Sequence, residues 1–247
     1  MKDIPLIIPN FNQLTYLKNL ITWFHYYYPE NKVFVIDNLS NYKPLLDWYG
    51  DNKDHRIHIV RCSVNNCGVN LETFIKKHIH GQYKYYCISN ADIMPHPNVP
   101  ENFLEIFKDT LNTYRLHRVG FQLILDDLPD FIDNRVEILK NERKFWKKPM
   151  DIIHKGKKYR GYKAPIDLTF ALYTVKNGGW KFKDRTKSIW ENSLRLFRAF
   201  HFGWYIDPKT QIQETIQYFK NAKTKSDKAK LKGNLKGINT YRPKTFR

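Results

Sequence analysis

Apolar runs and amphipathic stretches alternate through the first half of the chain, and each run closes on a polar loop. Ile4 to Pro9 is apolar and ends in Pro9-Asn10-Phe11-Asn12, which predicts a buried strand that delivers a loop at its carboxyl end. Leu14, Leu17, Leu20, Ile21 and Phe24 then recur at helical spacing, with Asn12 or Thr15 as caps, until Pro29 ends the element. The unit repeats: Lys32 to Ile36 closes on Asp37-Asn38-Leu39-Ser40, and a short helix through Leu45, Leu46 and Trp48 stops near Gly50. Ile57 to Val60 is a third strand with its loop over Arg61 to Val69, and a helix follows through Leu71, Phe74, Ile75 and Ile79. Tyr85 to Ser89 is a fourth strand, ending in Asn90-Ala91-Asp92-Ile93-Met94-Pro95.

The second half is less regular. Phe103 to Leu111 reads as a helix, Val119 to Leu125 as a strand, Asp126 to Asp133 as an acidic turn, and Asp167 to Tyr173 as strand or helix. From Ile189 to Arg198 the apolar positions favour another helix, leading into Ala199-Phe200-His201-Phe202-Gly203-Trp204-Tyr205. Strands alternating with helices predict an α/β fold with a mixed, mostly parallel sheet flanked by helices, and ligands bind at the carboxyl ends of such strands. One domain over residues 1–217 is expected, followed by a basic extension over 218–247 that is flexible or partly helical.

Charge sharpens this picture. Lys and Arg total 42 against 24 Asp and Glu, a net +18, so acidic partners are favoured. Half of that excess sits between Lys220 and Arg247, where Asp227 is the one acid. The default for such a tail is a solvated extension; the functional reading is contact with an anionic membrane face. Cys62, Cys67 and Cys87 are an odd set without CxxC spacing, which argues against a disulfide framework or a zinc site. With no apolar run of about 18 residues and no signal-peptide pattern at the start, the expectation is a cytoplasmic protein, peripheral to a membrane if the tail binds one.

The candidate chemistry lies in the loops. Pro9, Asn10 and Asn12 offer backbone and amide groups to a base, and Asp37 with Asn38 can accept from a ribose hydroxyl or a base N–H; the same pair also makes an ordinary Asx turn. Asn90 and Asp92, alternate residues of an extended segment, would point to one site and suit Mg²⁺ or Mn²⁺, unless they are turn residues ahead of Pro95. His201 stands in an aromatic-rich run, where a histidine is often a packed or capping residue.

In their order along the chain these residues resemble the nucleotide-sugar-dependent glycosyltransferases of the GT-A fold, in particular small family-two-like enzymes of viral and bacterial surface-glycan pathways. The resemblance covers about Ile4 to Pro208 and rests on Pro9 to Asn12, Asp37-Asn38, Asn66-Cys67-Gly68, Asn90-Ala91-Asp92, the Asp167-Leu168-Thr169-Phe170-Ala171 segment and the His201-Phe202-Gly203-Trp204-Tyr205 segment. The family's acidic metal motif usually reads Asp-x-Asp; Asn90 replaces its first acid here. By resemblance, Asp37 and Asn38 hold the nucleoside, Asn66 and Gly68 lie near the base or ribose, and Asp92 with His201 holds Mn²⁺ or Mg²⁺ on the diphosphate of a UDP- or GDP-type sugar donor. The acceptor is a glycan or lipid-linked hydroxyl. An inverting transfer needs a carboxylate base, for which Asp167 is the first candidate and Glu191 the second. Asp167 also reads as a helix cap, and Glu191 as an exposed first-turn acid. Trp204 and Tyr205 offer an apolar platform to a sugar ring with Asp126 or Asp127 as hydroxyl acceptors, or they are simply core.

Two rival classes remain. A nucleic-acid-binding protein would use the net charge and the Lys and Tyr residues of Tyr83 to Tyr86 and Lys155 to Lys163, but no recognition helix, zinc finger or RNP-like motif supports it. A nucleotidyltransferase calls for a Gly-rich or basic phosphate loop after the first strand, and Pro9 to Asn12 is not one.

Overall fold

The structure, a computed structural model, describes residues 3–130, 132, 135–177, 192–205 and 213–221. Its first half builds three units of parallel strand and helix: β1 (Leu6–Asn10), α1 (Thr15–Tyr27), β2 (Val33–Asp37), α2 (Lys43–Asp51), β3 (Ile57–Arg61), then α3 (Cys67–Phe74), which runs into a π-helical turn over Ile75–Ile79. β4 (Tyr85–Ile88), β5 (Ile93–Pro95), α4 (Phe103–Thr113) and β6 (Arg118–Leu123) follow. The second half holds α5 (Arg135–Arg143), β7 (Pro149–His154), β8 (Lys157–Lys163), β9 (Ala171–Thr174), β10 (Ser193–His201) and α6 (Gln213–Asn221). The last helix spans residue 217, where the sequence placed the end of the domain.

One sheet unites the strands in the order β3-β2-β1-β4-β9-β6-β10-β8-β7, with β5 on β10. β5, β8 and β9 run against the others, so the carboxyl ends of β1, β2, β3, β4, β6 and β10 share one edge. Both faces are covered. Leu17, Leu20 and Phe24 of α1 and Phe103, Phe107 and Leu111 of α4 fill one core, while Leu71 and Phe74 of α3 meet Ile7, Ile36, Tyr86 and Ile166 on the other face. Burial on both sides explains why the strands read as continuous apolar runs.

One expectation is corrected, and one open alternative is decided. Of the helix expected over Ile189 to Arg198, the described part is strand β10 from Ser193, and residues 178–191 lie outside the described set. Arg195 is buried in that strand, and a β-bulge at Arg195/Arg198 places Phe197 at φ 60°, so the two-residue alternation is broken and looks helical. Asp167 to Tyr173 resolves to strand β9 from Ala171, so Asp167 is not a helix cap. The Lys155 to Lys163 stretch is half of a hairpin turned by Lys155 and Gly156, both at positive φ (48° and 76°), and its partner strand β7 forms a sheet edge.

Candidate active site

The parallel register sets Asn10, Asp37 and Arg61 side by side at the ends of β1, β2 and β3. Asp37 is fully buried; its Oδ1 accepts from the Tyr49 hydroxyl at 3.2 Å, and its Oδ2 from the Ser40 N–H and Arg61 Nε, each at 3.2 Å. Asn10 Nδ2 donates to the same Tyr49 oxygen at 3.0 Å, leaving Asn10 Oδ1 buried with no hydrogen-bond partner among the described residues. Burial and then the Asp37 carboxylate push the Tyr49 phenol well above its ordinary pKa, so it stays a donor. Asp37 therefore organises the loops, while the group it presents to solvent is Arg61, whose side chain is 49% exposed.

Asn12 and Asn38 do similar work. Asn12, at φ 53°, a left-handed conformation that asparagine tolerates, accepts from the backbone N–H groups of Asn41 (2.8 Å) and Tyr42 (3.0 Å), while its own N–H donates to Ser40 Oγ at 2.8 Å. Its amide is thus committed to the second loop and does not cap α1. That task falls to Glu214 of α6, whose buried carboxylate accepts from the Thr15 N–H at 2.9 Å and the Thr15 hydroxyl at 3.0 Å. Asn38 Oδ1 accepts from Asn70 Nδ2 at 2.8 Å, tying the second loop to α3, and Asn66 caps α3 through the Val69 N–H at 3.3 Å beside a buried Gly68.

Asn90 to Ile93 is a turn closed by the Ile93 N–H on Asn90 O at 3.4 Å, so the alternation expected to align Asn90 with Asp92 does not hold. Asp92 gains a different neighbour. β5 pairs with β10 so that His201 stands opposite Ile93, and the Phe202 N–H donates to Asp92 O at 2.8 Å. The His201 Nδ1 lies 3.7 Å from Asp92 Oδ2, too far to hydrogen-bond, and is buried without a hydrogen-bond partner among the described residues. The His201 ring stacks on Trp204 at 4.8 Å, and Gly203 leaves space where a Cβ would stand 2.6 Å from Asp92 Oδ2. An orphaned imidazole nitrogen, a carboxylate and a cradle kept open by glycine fit a divalent cation. Nearby Tyr16 is pushed up to about 12 by burial first and by Asp92 next.

Asp126 pairs with Arg198, and Asp127 accepts from the Tyr205 hydroxyl; both aspartates are exposed, beside Trp204 and Tyr205 at the end of β10. Asp167 is exposed as well. The neighbouring Leu168 O accepts from the Asn90 N–H at 2.8 Å, and Asp167 helps to raise the Cys67 thiol, which burial chiefly lifts to about 11. Glu191 lies outside the described residues. Arg61, Tyr49, Tyr16 and Glu214 were not singled out in the sequence. For Arg61 alone a signal existed, since it closes the third apolar run as Asp37 closes the second.

A second cluster, Glu105, Asp109 and His154, brings possible ligand atoms together, but Lys155 Nζ occupies Glu105 at 2.6 Å and His154 Nδ1 meets Asp109 at 3.1 Å. These contacts fasten the hairpin to α4.

An α/β sheet with polar loops gathered at the ends of its parallel strands is an architecture that GT-A glycosyltransferases share with other nucleotide-binding folds. The model of glycosyl transferase family 2 matches residues 6–170, more than half of the chain, and the chain belongs to that family. It is a glycosyltransferase. Among solved structures, S. aureus TarS 1–349 is similar at a TM-score of 0.49 and 10% identity, covering 94% of this chain and 70% of that one. The complex of the same protein with UDP-GlcNAc gives 0.46 and 11%, with 94% and 71% covered. Galactosyltransferase LgtC in complex with donor and acceptor sugar analogs gives 0.37 and 9%, with 71% and 59% covered. No curated protein matches the sequence.

Proposed function

We propose that the protein transfers a monosaccharide from a nucleoside diphosphate sugar, of UDP or GDP type, to a hydroxyl of a glycan or lipid-linked acceptor, with inversion at the anomeric carbon. The observation that carries this reading is the meeting of Asn10, Asp37, Arg61, Asp92 and His201 along one sheet edge, with exposed Asp167 beside the Asn90 turn. Asn10, Asn12, Asp37, Asn38, Asn66 and Gly68 shape the nucleoside loops, and the Arg61 guanidinium faces the donor's anionic part. Asp92 and His201 would hold Mn²⁺ or Mg²⁺, which supplies electrostatic stabilisation of charge developing on the departing diphosphate. Trp204 and Tyr205, with Asp126 and Asp127, receive the acceptor. Asp167 takes the proton of the acceptor hydroxyl as its oxygen bonds to the anomeric carbon. The anomeric C–O bond breaks on the opposite side, and its electron pair leaves with the nucleoside diphosphate. The catalytic unit extends through α6.

Thermal-shift measurements with UDP, GDP, CDP and dTDP, each with and without Mn²⁺, test the reading on the full chain and on Asp92→Ala. One diphosphate should raise the melting temperature in a Mn²⁺-dependent way, and the variant should lose that response; at a hundred times the Kd the stabilisation is about 2.7 kcal/mol. Stabilisation that ignores Mn²⁺ removes the cation from the proposal. No shift with any nucleotide, together with salt-sensitive oligonucleotide binding, replaces it with a nucleic-acid function.

A further inference from the structure

The segment that bears Asp167 belongs to no strand. After Lys163 the chain crosses the sheet face that α3 covers, with Ile166 in that core, and it enters β9 only at Ala171. Its main chain is held at both ends, by the Ala164 N–H on Ser193 O at 3.2 Å and the Asn90 N–H on Leu168 O at 2.8 Å. Between them, two consecutive carbonyls are each gripped by an arginine: Arg195 Nε donates to Pro165 O at 2.8 Å, and Arg118 Nη1 to Ile166 O at 2.8 Å. Both arginines are buried, at 3% and 8% exposure.

Two buried guanidinium groups call for a reason, because well-packed apolar residues often serve stability as well as a buried ion pair does. Arg195 spans three partners. Its Nε holds Pro165 O, its Nη1 meets Glu142 Oε2 of α5 at 3.1 Å, and its guanidinium lies 4.2 Å over the Phe145 ring. Arg118 lies 5.5 Å over Tyr173. On the far side of Asp167 the chain is fixed again. Phe170 adopts φ 44°, a strained conformation for a bulky residue, with its ring among Trp23, Phe24, Phe103 and Phe121. Gly120 gives that turn room, since a Cβ there would stand 2.7 Å from Phe170 O. Asp167 is thus an exposed side chain on a backbone clamped before and after it.

We propose that Arg195 and Arg118, with Glu142 anchoring Arg195, are positioning residues that fix Asp167 for proton abstraction; this rests on the reading of Asp167 as the general base. Planar forks suit the task, because one guanidinium holds a carbonyl and a carboxylate in a fixed, pre-organised geometry that a flexible lysine ammonium does not set. A misplacement of about 1 Å in such a group can cost about 100-fold in rate.

The test is a double-mutant cycle on the full chain, reading nucleoside diphosphate release from whichever of UDP-GlcNAc, UDP-galactose, UDP-glucose and GDP-mannose it hydrolyses. Arg195→Lys, which keeps the charge facing Glu142, should lower kcat about 10- to 100-fold with donor KM and Mn²⁺-dependent nucleotide stabilisation unchanged. Glu142→Gln should move kcat in the same direction, and it supplies the measurement if the lysine variant does not fold. In the Asp167→Asn background either change should have almost no further effect on kcat. Equal losses in both backgrounds overturn the positioning role while leaving Asp167 as base, as does a change confined to KM. An Asp167→Asn rate equal to that of the unaltered protein overturns the base, and the positioning role falls with it.

Discussion

At the scale of single residues, the site depends on atoms that are missing as much as on those present. Gly203 has no Cβ, and the space left is bounded by Asp92 Oδ2 at 2.6 Å and His201 Cε1 at 2.9 Å from where one would stand. Gly203→Ala should therefore separate carboxylate from imidazole with a small effect on the core. We expect Mn²⁺-dependent nucleotide stabilisation to weaken at least 10-fold in apparent affinity while the melting temperature without ligand falls by only a few degrees; titration of Mn²⁺ at fixed diphosphate measures it. The polar loop residues Asn10, Asp37, Asp92 and His201 were legible because each closes an apolar run or a motif segment. Of their partners only Arg61, at the close of the third run, carried a signal. Tyr49 and Arg61 reach Asp37 through folding alone, and Asp37, expected to face a nucleoside, turns inward because those partners and the Ser40 N–H surround it.

At the scale of elements, the strand-and-helix units up to β4 were legible, since each has one period over its whole length and a loop at its end. β10 was not, because Arg195 sits on a buried position that a pattern of apolar side chains scores as solvent, and the bulge beside it reverses the alternation. The β7–β8 hairpin hid behind the largely exposed lysines of β8, the strand between β10 and the edge strand β7. α6 shows the opposite case, a short helix with a long-range duty. Its Glu214 takes the place of a local cap on α1, Gln217 Nε2 donates to Asn41 Oδ1 at 3.0 Å, and Tyr218 meets Phe11 at 6.0 Å between ring centres, so α6 braces the loops that follow β1 and β2. Glu214→Ala leaves the α1 N-terminus unsatisfied at a cost of about 1 kcal/mol. A drop in melting temperature of about 2–4 °C is expected, with weaker diphosphate binding, and paired thermal scans with and without nucleotide separate the two effects.

At the scale of the molecule, the charge and the chemistry are divided. Among the described residues, the last to brace the loop after β2 is Asn221, whose Oδ1 accepts from Asn41 Nδ2 at 3.2 Å, and much of the net charge follows it in the sequence. Removing residues 222–247 should leave Mn²⁺-dependent nucleotide stabilisation intact and abolish salt-sensitive sedimentation with phosphatidylserine vesicles; unchanged sedimentation would sever the tail from any membrane role. No helix among the described residues is long and apolar enough to cross a membrane. The pairing of β5 with β10 carries one more consequence. Asp92 and His201 are more than a hundred residues apart in the chain, yet Asp92 immediately precedes β5, which pairs with β10 at His201, and the Phe202 N–H donates to Asp92 O. On the ribosome, every loop up to Asp92 emerges long before His201 does. A half-made chain holds a carboxylate with no imidazole across from it, and the two become neighbours only when β10 has joined the sheet.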